Sequence, residues 1–430
     1  MNKLRLKTAP AVILFLVAFN GRLCGSPQPT DVFCEYQWTG PYVNARYWQR
    51  VTDPNARHPG AKEYLPNPVN SISIRTADAT KIEAYIELLQ CHAGTSNKRI
   101  RVNGNPWIQI PEAVNIAGDP ECYQTMIYPA VQIPLSHFNN GSNTFELTSG
   151  GQTCLDFGWG QWLVYGVTFR VYYSDSEPHP TGSITSPTWG AVIGENPTIS
   201  AAVTPARCPI RQVDFIGYYE DFNYEGDNIW RQWHYIYHCG QIRKHLGTDT
   251  TAPYSITWDT SWLPDQNQPV KIMARIVDAS NMCYMTEAVE NITFRRTGTS
   301  VKLYKCYDIP KPWKSRVGKR HCCHIDITDD LTNAIAARMY LCSWSGGHAD
   351  EIGINDNKIL DKIGFEHNLS YDEIDVPLRF LQVGQNTPYT YATTSHHGIE
   401  VNWPGTPLKI KYLVRPAGKS GGHSSFDKVK

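Results

Sequence analysis

Residues 133–145 read IPLSHFNNGSNTF, and residues 376–388 read VPLRFLQVGQNTP. Pro, Leu, Gly, Asn and Thr coincide at the same spacing. Upstream, RVNGN at 101–105 is matched by GINDN at 353–357, and downstream each segment closes on an alternating run, YGVTFRVYY and LKIKYLV. Two matches in the same order predict a duplicated unit. The pattern has a mechanical sense. An Asn-rich tight turn reverses a hairpin, a proline stiffens the entry to a connecting segment, and glycine supplies a positive φ before the next strand.

Outward from the repeat, short runs alternate apolar and polar residues: SISIRT, AYIELLQ, RIRVNG, VKIMARIVD. That is the period of half-buried strands. Only LTNAIAARMYL reads as helical, on its Ala and Leu content. The expected fold class is therefore all-β. YYSDSEPHPTGSITSP, dense in Ser, Pro and Gly, marks a linker near 174–182, and FRRTGTS a second near 297–300. The prediction is three β-sandwich domains in series, at 31–173, 182–297 and 300–415, the third related to the first and the central one a spacer. Residues 416–430 are expected to form a tail with no fold of their own.

The start, MNKLRLK followed by TAPAVILFLVAF, has the charge and length of a secretory signal over residues 1–26, cleaved between Cys24 and Pro27. No later stretch approaches the roughly 18 apolar residues of a membrane helix, so the mature chain is expected to be secreted or at the cell surface and not inserted in a membrane. With 40 basic and 40 acidic side chains and no basic block, the charge argues against a nucleic-acid partner. Charged residues make up 19% and aromatics 12%, with 29 Pro and 32 Gly, which suits many short strands joined by turns. Omitting Cys24, the remaining cysteines group four, three and four by domain. In an oxidising compartment the outer groups could each form two disulfides and the middle one a single bridge with an odd thiol left over; in a reducing one they are small buried side chains. At least one disulfide is expected, its pairing not readable from spacing.

Several clusters carry possible chemistry. DFNYEGDN, at 221–228, places Asp221, Asn223 and Glu225 at the first, third and fifth places of a calcium loop, with Gly226 at the sixth. Gln232 stands where a bidentate Glu is wanted, so a looser Ca²⁺ site completed by Asp227 competes with a plain acidic hairpin turn. In HHGIE, strand alternation would put His396 and Glu400 on one face and His397 on the other. With His348 and Asp350 from GGHADE, the first face could bind zinc or supply a general base, or it could be an ordinary polar surface. HCCH at 321–324 cannot converge on one tetrahedral ion from a strand, and separate disulfides from Cys322 and Cys323 are expected instead. Carboxylates at Asp350, Glu351 and 372–375 could flank a glycosidic bond or be solvated turns. Asn140, Asn291 and Asn368 lie in N-x-S/T triplets, which matter only in a eukaryotic secretory route. Thirteen Trp include Trp159 and Trp162 in DFGWGQW, and Trp230 and Trp233 in IWRQWHYIY; each group sits beside the polar partners that sugar hydroxyls need.

VNG followed by IPL and G-x-NTF resembles the jelly-roll, galactose-binding-like sandwiches found as carbohydrate-binding modules beside glycoside hydrolase domains. ITSPTWGAVIGENPTISAAV followed by IRQVDF is similar to bacterial immunoglobulin-like domains of exported proteins, and the whole arrangement, including HHGIEVNWPG, resembles secreted multidomain proteins of environmental bacteria. The resemblance implies jelly-roll, immunoglobulin-like and jelly-roll domains in that order. The expected function is noncatalytic binding of a glycan or cell-surface polymer on aromatic platforms. A carbohydrate-active hydrolase or lyase in a jelly-roll cleft is the first alternative, and a structural envelope protein the second.

Overall fold

The computed structural model describes residues 27–41, 47–91, 94–116, 118–154 and 157–414. The signal sequence and tail read from the sequence lie outside these residues. Strands account for 49% and short helices for 6%, so the fold is all-β, built of several sandwich-like sheets. Among the described residues no helix is long and apolar enough to cross a membrane.

The two outer units share one topology. In the first, Val32–Thr39 lies beside Gln161–Tyr173, then Lys81–Gln90, then Ala130–Ile133. In the third, Thr299–Tyr304 lies beside Leu408–Leu413, then Ala334–Trp344, then Leu369–Asp375. The second sheet of the first unit runs Val69–Ile74, Gly141–Thr148, Arg99–Val102 and Ile108–Gln109. Its counterpart in the third unit pairs Ile325–Ile327 with Gly384–Asn386 and continues as a sheet running Lys319–Cys322, Pro388–Ala392, Glu351–Ile354 and Asn357–Leu360 in that order. A short 3₁₀ turn follows the repeated proline in both, at Leu135–His137 and Leu378–Phe380.

The repeated asparagines turn out to be a clamp. Asn103, at φ 49°, donates from Nδ2 to Asn143 Oδ1 (2.7 Å) and to the His137 carbonyl, while its own Oδ1 accepts from Thr144 N. Asn143 in turn caps the turn, donating to the carbonyls of Asn139 and Gly141. Asn355, at φ 50°, repeats this on Asn386 Oδ1 (2.7 Å), the Phe380 carbonyl and Thr387 N. Gly141 and Gly384 take positive φ of 111° and 91°, as the turn requires. The amides thus bridge two strands of the second sheet at their turns.

The 13-residue strand Gln161–Tyr173 is buried at every position because it is covered on both faces. Trp162, Val164, Val167, Phe169, Val171 and Tyr173 fill the first unit's own core. A bulge between Val164 and Gly166 resets the alternation. Leu163, Tyr165 and Tyr172 point the other way, into apolar clusters shared with the other two units. One such cluster joins Phe33, Tyr85 and Tyr172 to Ile216, Tyr237 and Met273 of the middle unit; the other joins Leu89 and Tyr165 to Cys342, Trp344 and Leu369 of the third. Moreover, Val32–Thr39 pairs antiparallel with Met282–Met285, so the first and middle units form one continuous 13-stranded sheet. The middle unit is therefore built into the first and is not a free spacer between beads.

Across that seam lies a buried charge network. Glu35 accepts from Arg170 Nε (2.9 Å), Tyr237 Oη and the Arg275 guanidinium, and Arg275 also holds Asp214 (2.8 Å). Arg170 and Asp214 are wholly buried. Burial alone would raise the Glu35 carboxyl, but Arg275 and Arg170 outweigh it and hold it below its ordinary range.

Two expectations fail here, the helix at LTNAIAARMYL and the bridges from Cys322 and Cys323. LTNAIAARMYL is a 3₁₀ turn at Leu331–Asn333 and then the strand Ala334–Trp344, because Ala337, Met339 and Leu341 are needed on the core side of a sheet, where tertiary packing overrides propensity. The expectation of at least one disulfide is met by Cys122–Cys154, whereas Cys322 and Cys323, expected to form separate bridges, are free thiols, as are seven other described cysteines. Of these, Cys34, Cys91, Cys283, Cys323 and Cys342 serve as small buried side chains. Asn368 is buried and gives its Oδ1 to Leu369 N, so it offers no surface for glycosylation.

Candidate functional site

The stretch 221–228 forms the hairpin between strands Ile210–Glu220 and Arg231–His234. Its oxygens serve the loop itself. Asn223 Oδ1 accepts from Asn228 N, and Asp227 Oδ1 accepts from Asn223 Nδ2, Ile229 N and Gln232 Nε2. Asp221 pairs with the buried Lys409 of the third unit, and Glu225 Oε1 with His234 Nδ1 (3.1 Å). Burial raises the Glu225 carboxyl; on His234 burial opposes the charge, but Glu225 beside it prevails and lifts that imidazole too. Gly226, at φ 67°, is required by approach: a Cβ there would stand 2.0 Å from the Met126 carbonyl of the first unit. Phe222, 1% exposed, lies 5.9 Å from Tyr340 of the third. The hairpin is thus a wedge between all three units, and its acid-and-glycine pattern is that of a self-satisfied turn.

Beside the wedge opens a cleft of about 190 Å³ between the first unit and the middle one. Trp233, Tyr235, Tyr85 and Tyr128 supply aromatic surface, and Glu225, Asp227, Gln232 and Asn115 supply polar groups. Tyr85 and Tyr128 stack at 5.8 Å, and Asn228 Nδ2 donates to the Asn115 carbonyl, fixing the rim. Of the four tryptophans expected to bind, only Trp233 lines this cleft. Trp162 is 0% exposed in the core, where an alternating strand must place it. Trp159 is covered by His58 and Phe157, and Trp230 lies under Lys305. Tyr235 lies within the aromatic group IWRQWHYIY, but Tyr85 and Tyr128 carried no sequence signal as site residues, since they come from a distant strand and loop of the first unit.

The histidines assemble differently from the expected face. His348, which ends a 3₁₀ turn at Gly346–His348, meets His367 at 5.1 Å and His397 at 5.5 Å between ring centroids, and His367 meets His397 at 4.6 Å. His397, not His396, joins the cluster. The strand begins only at Ile399, so strand alternation does not govern 396–397. Asp350 is elsewhere, accepting from Thr393 N and Oγ1, which hold its carboxyl below the usual range. Glu400 and His396 line a cavity of about 110 Å³ with Arg50, Arg316, Gln161 and Trp344, where the first and third units meet, and His397 of the cluster lines it too. In HCCH, His321 faces Ser315 Oγ and His324 pairs with Asp308, so the four side chains go to different partners.

Comparison with known proteins adds one sequence match: residues 180–272 match the bacterial Ig domain family. No curated protein matches the chain. Among solved structures, a family 86 glycoside hydrolase in complex with neoagarooctaose is similar at 10% identity and TM-score 0.24, covering 59% of this chain and 36% of that one. A family 86 β-porphyranase from Bacteroides plebeius is similar at 10% identity and TM-score 0.23, over 56% of this chain and 38% of that one. The chain spans little more than a third of either hydrolase. A DUF4785 family protein from Legionella pneumophila is similar at 9% identity and TM-score 0.24, over 90% of this chain and 85% of that one.

Proposed function

We propose that the protein is an exported, noncatalytic recognition protein that binds a glycan or cell-surface polymer, with a sugar ring seated in the cleft beside the 221–228 hairpin. The observation that supports this reading is the cleft's composition: the half-buried Trp233 and the tyrosines 85, 128 and 235 offer apolar faces for the C–H side of a sugar, and Gln232 and Asn115 offer amide partners for hydroxyls. Recognition is favoured over hydrolysis because the two carboxylates are committed, Glu225 to His234 and Asp227 to three donors of its own loop. Neither is placed to shuttle a proton to a scissile bond. The jelly-roll reading of the outer units belongs to the same proposal, as does export by residues 1–26.

The test is retention of the full chain on a panel of insoluble polysaccharides and cell-wall preparations. Trp233→Ala is expected to weaken retention at least tenfold, about 1.4 kcal/mol, in a chain that remains folded at the assay temperature, though at a lower melting temperature because Trp233 also packs against Tyr218 and the shared cluster. Release of reducing ends or unsaturated products by the wild type would replace recognition with a carbohydrate-active enzyme, and inertness in both assays would favour a structural envelope protein.

A further inference from the structure

The histidine cluster belongs to no part of the glycan reading, and its construction is unusual for a surface. Three separate loops of the third unit deliver it. His348 follows the strand Ala334–Trp344, Glu366 and His367 precede Leu369–Asp375, and His397 precedes Ile399–Val401. One donor atom from each of His348, Glu366 and His367 lies within 4.8 Å of the others. His348 Nε2 is sealed from solvent and has no hydrogen-bond partner, a costly state for a ring nitrogen.

The loops are held in register from below. Ser345 takes a left-handed conformation (φ 59°), donates from Oγ to the Glu366 carbonyl (2.6 Å) and from N to the Asn368 carbonyl (3.2 Å). Gly347 N bonds the Phe365 carbonyl, and any side chain at Gly347 would meet Glu366 Cγ at 3.0 Å. From the first unit, Trp48 Nε1 donates to the His367 carbonyl (3.0 Å). Such supports fix the directions of ligands before a metal arrives.

We infer that His348, His367, His397 and Glu366 form a binding site for a zinc-class divalent ion that staples three loops of the third unit together. Imidazole nitrogens and one carboxylate are a donor set that zinc accepts in tetrahedral geometry, with bonds of about 2.0–2.2 Å. Donors on such an ion stand roughly 3.4 Å apart, so modest side-chain rotation closes the present spacing. His348, Glu366 and His367 supply three donors within reach, and rotation of the exposed His397, its ring 4.6 Å from that of His367, would add the fourth and close the site, a structural rather than catalytic arrangement.

The test uses the full chain, stripped with chelator and titrated with zinc chloride, with bound metal counted after desalting and the melting temperature recorded. One ion per chain and a rise of several degrees are expected, since an ion bound to the folded state alone stabilises it. His348→Ala and His367→Ala should each weaken binding at least tenfold and remove the thermal shift. Glu366→Gln, on an exposed side chain, tests the same point without risk to folding and should weaken it less. His396→Ala, outside the cluster, should change nothing. Cobalt in place of zinc should give the intense visible bands of a tetrahedral site. Zinc held equally well by the His348→Ala/His367→Ala double variant, or no stoichiometric zinc in the wild type, would overturn the inference.

Discussion

Glu35 shows how single residues set the stability of this protein. Its carboxylate is surrounded by Arg170, Arg275 and Tyr237, and removing one partner leaves an uncompensated charge in the seam. Arg275→Met is therefore expected to cost about 3–5 kcal/mol in chemical denaturation. Glu87 behaves in the opposite sense. Burial pushes its carboxyl up to about 7, against the pull of the Gly240 and Cys239 N–H groups that it accepts. A carboxyl raised in the folded state stabilises fully below its ordinary value near 4.5, and that contribution, about 3 kcal/mol, is lost as pH rises through 7. Glu87→Gln should flatten the stability profile between pH 4.5 and 7, which urea titrations at a series of pH values will read. Neither residue was legible in the sequence as special, because each owes its state to groups far away along the chain.

At the scale of elements, the repeated turns were legible and their purpose was not. Pro134 and Gly141, with Pro377 and Gly384, occupy the places the pattern assigned to them. What spacing could not reveal is that Asn103 reaches Asn143, and Asn355 reaches Asn386, from a different strand. Asn143→Ala and Asn386→Ala should each lower stability by about 2–3 kcal/mol, since each removes several bonds and strands buried partners. Similar losses in the two units, measured by denaturant unfolding, are the expected outcome. The hairpin 221–228 carries the complementary lesson. Its Asp, Asn and Gly spacing satisfies a calcium pattern locally, yet Gly226 answers to Met126 and Asp221 to Lys409, contacts that no local pattern contains. Added calcium is expected to leave the melting temperature unchanged.

For the molecule as a whole, period-two runs were enough to give the all-β class, since they report one buried face per strand. They do not report a second buried face, and Gln161–Tyr173 has two. That strand and the pairing of Val32–Thr39 with Met282–Met285 make the middle unit dependent on its neighbour. A fragment of residues 180–297 would bare Ile216, Met273, Val277 and Met285, which are buried in the shared cluster. It is expected to aggregate or to bind a hydrophobic dye strongly, whereas a bead-like domain would run as a folded monomer in size exclusion. One contact reaches further back. Tyr128 and Tyr371 are 243 residues apart, the same offset as the repeat, and their hydroxyls meet at 2.6 Å. Equivalent positions touching each other are the signature of an isologous homodimer interface. The two outer units, alike in topology, thus meet at equivalent positions, the self-complementary arrangement that two copies of one body would make.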